Sequence, residues 1–167
     1  MASIRVRQAR DEDRAALTAL HEREWGGPVV VVHDTRYDLR DLPALVAVDD
    51  GGAFAGALVY RVDTDGLEVV SLAASTPGTG AGSALLAAAE EVAAAAGADR
   101  IWLVTTNDNL GALRFYQRRG LRIVAVDAGA VDRARAVKPA IPHVGADGIP
   151  LHDELRLARH LPPAGDK

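Results

Sequence analysis

Two segments combine residue types and spacings that could do chemistry. The first reads P-G-T-G-A-G-S-A-L-L from Pro77 to Leu86, after an apolar, strand-like run from Leu67 to Ala74 and before an Ala/Leu-rich stretch with helical character. A helix that starts in Gly78, Gly80 and Gly82 leaves its first backbone N–H groups uncovered. Those amides and the positive end of the helix dipole together form an anion site suited to phosphate. The second segment, N-D-N-L-G-A-L-R-F-Y-Q-R-R-G-L from Asn107 to Leu121, follows another strand-like run, Arg100 to Thr105. Asn109 and Tyr116 lie seven positions apart, two helical turns, so they return to one face with Ala112 and Leu113 about 10 Å apart along the axis.

The glycine turn fails two familiar phosphate patterns. A Walker loop needs Lys then Ser or Thr after its last glycine, whereas Gly82 is followed by Ser83 and Ala84. A dinucleotide fingerprint spaces its glycines G-x-G-x-x-G with an acid ending the next strand; here the spacing is G-x-G-x-G and Asp99 precedes that strand. A nucleotide-binding α/β domain is disfavoured on both counts, and a tight strand-to-helix connection with no ligand remains open. So do an N-cap role for Asn109 and core packing for Tyr116 beside Phe115.

Taken together, the two segments resemble the coenzyme A site of the GNAT superfamily of acyl-CoA-dependent N-acetyltransferases. Gly80 and Gly82 match the last positions of its turn signature, Q/R-x-x-G-x-G/A, while Pro77 stands where Gln or Arg is usual. The missing polar contact weakens the expected grip on the pyrophosphate, with Thr76 and Thr79 as substitutes. The resemblance implies that acetyl-CoA is the cosubstrate, with Leu72, Ala73 and Ala74 along the strand edge, Thr79, Gly80, Ala81, Gly82 and Ser83 at the phosphates, and Asn109 and Ala112 along the pantetheine arm. The Leu72 amide would hold the oxyanion. Tyr116 would protonate the departing thiolate, a role open to a phenol that stays protonated at pH 7.

Strand alternation puts Glu68, Val70 and Leu72 on one face. A carboxylate in an otherwise apolar row needs a reason, and Glu68 matches the position of a general base in many GNAT enzymes. Partial burial would raise its pKa toward neutrality; a structural salt bridge or an exposed edge position is the alternative. The stretch from Trp25 to Asp41 borders the acceptor pocket in that family layout, making Trp25, His33, Asp34 and Tyr37 candidate acceptor contacts. Loop exposure explains them equally well.

The elements that must position these groups follow from periodicity. Ile4 to Ala9 alternates as a strand, and Asp11 to Glu24 reads as an amphipathic helix ending at Trp25-Gly26-Gly27-Pro28. Val29 to Val32 is a strand or a buried extended segment. Strands over Leu45 to Val48 and Ala53 to Val62 flank the D-D-G-G turn, a strong hairpin signal. A helix from about Thr79 to Ala96 ends at Gly97. A helix Asn109 to Arg119, a strand Leu121 to Val126, a helical stretch near Val131 to Val137 and a strand Asp153 to His160 complete the order. This is α/β with a mixed, mostly antiparallel sheet flanked by helices, as in GNAT folds, and 1–161 is expected to form one such domain with a frayed tail at 162–167. The Gly/Pro/Ala-rich connection 127–150 is long for a compact domain and is expected to be an ordered flap over the acceptor or a dimer contact.

Composition narrows the partners. A net charge of −4 without a basic run disfavours nucleic acid, and the absence of cysteine rules out a Cys nucleophile and thiolate metal sites. No apolar segment approaches the roughly 20 residues of a membrane span and no signal peptide is evident, so a cytoplasmic protein is expected. His143, His152, Asp153 and Glu154 lack a ligand spacing and are read as structural, with no metal. The resemblance implies direct attack of a primary amine, small molecule or peptide, on acetyl-CoA within a ternary complex. A non-catalytic acyl-CoA-binding sensor is the alternative. The acceptor and the acyl chain length stay open, as does the oligomeric state, homodimers being common in such folds.

Overall fold

The computed structural model describes residues 3–162; most of the tail expected to fray lies outside the described residues. Seven strands form one sheet in the order β1 (Arg5–Gln8), β4 (Ala44–Val48), β5 (Phe54–Asp63), β6 (Gly66–Ala74), β7 (Arg100–Thr106), β9 (Glu154–His160) and β8 (Arg122–Asp127). Every neighbouring pair is antiparallel except β6 and β7, so the mixed, mostly antiparallel sheet expected from the sequence is what forms.

The helices occupy both faces. α2 (Ala81–Ala95) buries Leu85, Ala89 and Ala93 completely against the sheet, a four-residue apolar repeat in which the two alanines let the helix axis come close. The same face takes Tyr116 from α3 (Leu110–Arg118) and the sheet residues Leu67, Val69, Ile101 and Leu103. The opposite face is covered by α1 (Arg14–Trp25) and by a small hairpin of β2 (Val29–Val32) and β3 (Thr35–Asp38), around a second core of Val30, Leu39, Ala44 and Val59. Covered on both sides, β4 is buried along its whole length.

β3 was not legible in the sequence. Its turn is made by His33 and Asp34, both with positive φ, 39° and 60°. A two-residue turn of this kind normally announces itself with Asn-Gly or Asp-Gly; His-Asp carries no such signal. The 127–150 connection is ordered: α4 (Ala130–Val137) packs on β2, and Lys138 Nζ donates to the carbonyls of Trp25 and Val29 at 2.7 and 2.8 Å.

Two features of β6 matter for the site. It pairs with β7 only through Leu67–Ile101, Glu68–Trp102 and Val69–Leu103. Past those three pairs the strands part, although β6 runs on to Ala74 and β7 to Thr106. The register against β5 also shifts, from Tyr60–Val69 to Val59–Ser71, which leaves Val70 as an extra residue. That bulge overturns the expectation that Glu68, Val70 and Leu72 share a face. Val70 packs in the second core, while Leu72 joins Leu67 and Val69 on the α2 side; an inserted residue inverts the alternation beyond it.

Gly66 opens β6 at φ 109°, and a Cβ there would lie 2.4 Å from the Arg100 carbonyl oxygen. Gly66→Ala therefore meets both left-handed strain and a backbone clash. It is expected to cost about 3 kcal/mol, read as a drop in the denaturant midpoint at unchanged slope.

Candidate active site

Where β6 and β7 part, a cleft of about 660 Å³ opens on the α2/α3 side, lined by Leu72, Ala73, Ala74, the turn from Pro77 to Ser83, and Asn109, Ala112 and Tyr116 of α3. All the sequence-derived cosubstrate positions thus converge on one cavity. α2 starts at Ala81 rather than Thr79, with Gly80 left-handed at φ 84° and without a side-chain cap. Of the first-turn amides, that of Ala81 donates to the Thr79 hydroxyl at 3.4 Å, and those of Gly82 and Ser83 are left to meet an anion. Thr79 is engaged within the turn, its hydroxyl donating to the Thr76 carbonyl at 3.2 Å.

Pro77 lines the cleft without a polar group, but a cation stands nearby. Arg119, just past α3, lines the same cleft and donates through Nη2 and Nε to the Ser83 hydroxyl at 2.5 and 3.2 Å. Its guanidinium is held 3.7 Å above the Phe115 ring, a cation–π contact that fixes the charge beside the glycine turn. Nothing in the sequence marked Arg119, because a basic residue closing a helix is an ordinary partner of the dipole.

Asn109 is the N-cap of α3, its Oδ1 accepting from the Ala112 amide at 3.2 Å, and it also lines the cleft. The capping role and a ligand role coexist, since the cap uses the oxygen and leaves the Nδ2 donor. Leu113, expected on the same face, packs into the core instead. Tyr116 is buried, and that burial raises its phenol above the ordinary value near 10. The proton stays on the oxygen throughout the neutral and mildly alkaline range.

Glu68 lies on the other side of the sheet, only 1% exposed. Its surroundings are polar rather than apolar. Oε2 is 2.7 Å from His33 Nε2, and Oε1 accepts from the Tyr37 hydroxyl at 2.8 Å and from Arg61 Nη1 at 3.4 Å. Burial, then the bond to Glu68, raises the Tyr37 phenol. The salt-bridge alternative for Glu68 is thus realised, and the buried carboxylate is linked to the partly exposed side chains of His33 and Arg61.

His33 is held by more than its ring. Its strained backbone amide donates to Glu154 Oε1 at 3.0 Å, and its ring lies 5.3 Å from Trp102, centroid to centroid. Asp34, the next residue in the turn, is clasped by Arg133 of α4 at 2.9 Å, which lowers its carboxyl. Trp25 lines the cosubstrate cleft and, like Tyr37, packs against the second core. Glu154, read from the sequence as structural, is buried against the hairpin turn, and burial raises its carboxyl above the ordinary value. His152 pairs with Asp132 at 2.9 Å and Asp153 accepts from the Gly129 amide at 2.8 Å. Among the described residues no helix is long and apolar enough to cross a membrane.

Comparison with known proteins agrees with this geometry. Residues 7–121 match the model of the acetyltransferase (GNAT) family. The protein YdhI of Bacillus subtilis (strain 168) is 37% identical over 143 residues, 86% of this chain and 89% of that one. Among solved structures, a Bacillus subtilis acetyltransferase in complex with CoA superposes with a TM-score of 0.69 at 23% identity, covering 97% of this chain and 100% of the other. An IAA acetyltransferase from Bacillus cereus ATCC 14579 gives 0.68 at 23% identity, covering 95% and 100%.

Proposed function

This chain belongs to the acetyltransferase (GNAT) family, and on that premise we propose that it transfers an acetyl group from acetyl-CoA to a primary amine, which attacks the thioester directly while both substrates are bound. The observation that carries this reading is the slot between β6 and β7. At this point β6 carries on one face a cleft with an open helix N-terminus and a buried phenol and on the other a polar network around Glu68.

In this reading the phosphates of acetyl-CoA meet the first-turn amides of α2 and Arg119, and the thioester carbonyl takes a hydrogen bond from the Leu72 amide, which favours the tetrahedral oxyanion. The His33–Glu68 pair accepts a proton from the acceptor ammonium. The freed nitrogen bonds to the acetyl carbon, the C–S bond breaks, and Tyr116 gives its proton to the thiolate. The base passes the first ammonium proton to solvent, the attacking nitrogen loses a second to solvent as the C–S bond breaks, and solvent restores the Tyr116 proton, so the products are the amide, CoA and one proton. Attack within one bound complex lowers the entropy cost of bringing the two substrates together.

The test is acetyl-CoA-dependent release of free CoA thiol across a panel of primary amines, with the acetylated product identified by mass. Binding is read beside it as thermal stabilisation by acetyl-CoA and CoA against ATP and NAD. A ligand at 100 times its dissociation constant adds about 2.7 kcal/mol to the folded state. Stabilisation by both CoA species without amine-dependent release would reduce the protein to an acyl-CoA binder; no stabilisation would end the reading. Arg119→Met is expected to weaken CoA binding about tenfold while leaving binding of pantetheine, which lacks the pyrophosphate, unchanged in titration calorimetry.

A further inference from the structure

On the face of the sheet away from the cosubstrate cleft lies a cavity of about 260 Å³ lined by His33, Val104, Ala125, Asp127, Glu154 and Arg156. Val104 follows Leu103, the last residue of β7 paired to β6, so this cavity sits at the point where the slot opens. Register builds its floor: Val104 pairs with Arg156 and Arg156 with Ala125, while Asp127 pairs with Glu154. Its roof is the strained hairpin turn at His33, whose ring is bonded to Glu68.

The charges in this cavity are unevenly satisfied. Asp127 is neutralised by Arg133 at 2.8 Å. Glu154, 3% exposed, has one oxygen occupied by the His33 amide, which leaves the other as an acceptor. Arg156 is stacked 4.3 Å over the Trp102 ring, and among the described residues it pairs with no carboxylate. Glu154 and Arg156 lie two residues apart on one strand face, about 7 Å along the chain, yet they do not pair with each other. A buried carboxylate and a held guanidinium without counter-ions are costly unless a ligand completes them.

Resting on the acetyl-transfer reading, we propose that this cavity holds the acceptor and that the acceptor is a zwitterion, an amino acid or close analogue, with its carboxylate on Arg156 and its ammonium on Glu154. Bound this way, its nitrogen lies beside His33 and faces the slot toward the thioester. Stacking on Trp102 fixes the planar guanidinium for a two-point grip on a carboxylate. The six cavity residues come from four separated stretches of chain, which is why the sequence singled out only His33 among them as an acceptor contact.

The test is titration calorimetry on the CoA-loaded protein, where no turnover occurs, with the twenty L-amino acids and their decarboxylated amines as probes. At least one amino acid is expected to bind. Its affinity should fall about tenfold or more in Arg156→Met and in Glu154→Gln. Its decarboxylated amine should bind wild type and Arg156→Met equally weakly. Binding by none of the twenty, or equal binding of acid and decarboxylated amine to wild type, overturns the proposal. So does indifference to Arg156→Met in a variant whose melting temperature is unchanged. The comparison between ligands uses wild type alone and survives a misfolded variant. Acetylation assayed in parallel separates the two readings: amino acid binding without product ends acetyl transfer to that acceptor but keeps the site. Acetylation of amines regardless of Arg156 keeps the transferase but ends the site.

Discussion

Tyr116→Phe is expected to lower kcat by about 10²- to 10³-fold, the range typical of a lost general acid, while the dissociation constant for acetyl-CoA stays within about twofold. The substitution removes one oxygen from a ring that otherwise packs in the main core, so the phenylalanine fills the same space. Burial raises the phenol, and this fixes the sign of the pH dependence. A donor whose pKa moves up from about 10 keeps its proton through the whole working range, so the wild-type rate should show no alkaline fall from loss of this proton below about pH 10. The Phe variant should depend on leaving-group basicity instead, losing less rate with thioesters of more acidic thiols. Pre-steady-state CoA release with acetyl-CoA and a fixed amine reads all of this. A Phe variant that turns over at the wild-type rate would strip Tyr116 of its role.

Glu68→Gln carries the second large effect, a fall in kcat/KM for the amine of about 10²- to 10³-fold with acetyl-CoA binding unchanged. Gln keeps the shape and can still face His33 and Tyr37, the partners at 2.7 and 2.8 Å, but it cannot take a proton. A purely structural Glu68 predicts a lower melting temperature and an unaltered pH–rate curve. A proton-accepting His33–Glu68 pair predicts that the acid limb of kcat/KM flattens in the variant. Melting curves and pH–rate profiles on the same preparations distinguish the two, and an acid limb identical in both proteins would rule the pair out as the base.

Legibility followed locality. The hairpin at Asp49–Gly52, the glycine turn before α2 and the helix carrying Asn109 and Tyr116 are short-range signals, each settled by turn chemistry or period within about ten residues. They brought the cosubstrate cleft into view as one surface. The bulge at Val70 is set by the partner strand β5, so no pattern within β6 could reveal that Leu72 faces away from Glu68. The β2–β3 turn uses His33 and Asp34 at positive φ and is stabilised from afar by Glu154 and Arg133. Such strain is held by distant contacts and has no local signature. Arg61, Trp102, Glu154 and Arg156 read as ordinary strand residues until the sheet sets them around His33 and Glu68.

Considered as a mechanical object, the sheet is two plates, β1-β4-β5-β6 and β7-β9-β8, sewn together by the three residue pairs between β6 and β7. Force applied across that seam loads three pairs in sequence, whereas force within a plate is shared among the longer ladders on either side. A molecule seated in the cleft bridges Leu72–Ala74 of β6 and the α3 residues that follow β7, and so acts as an added rivet. Single-molecule pulling with handles on β5 and β9 should therefore yield at a low force that rises when CoA is bound. Handles on β4 and β6, within one plate, should register no such change.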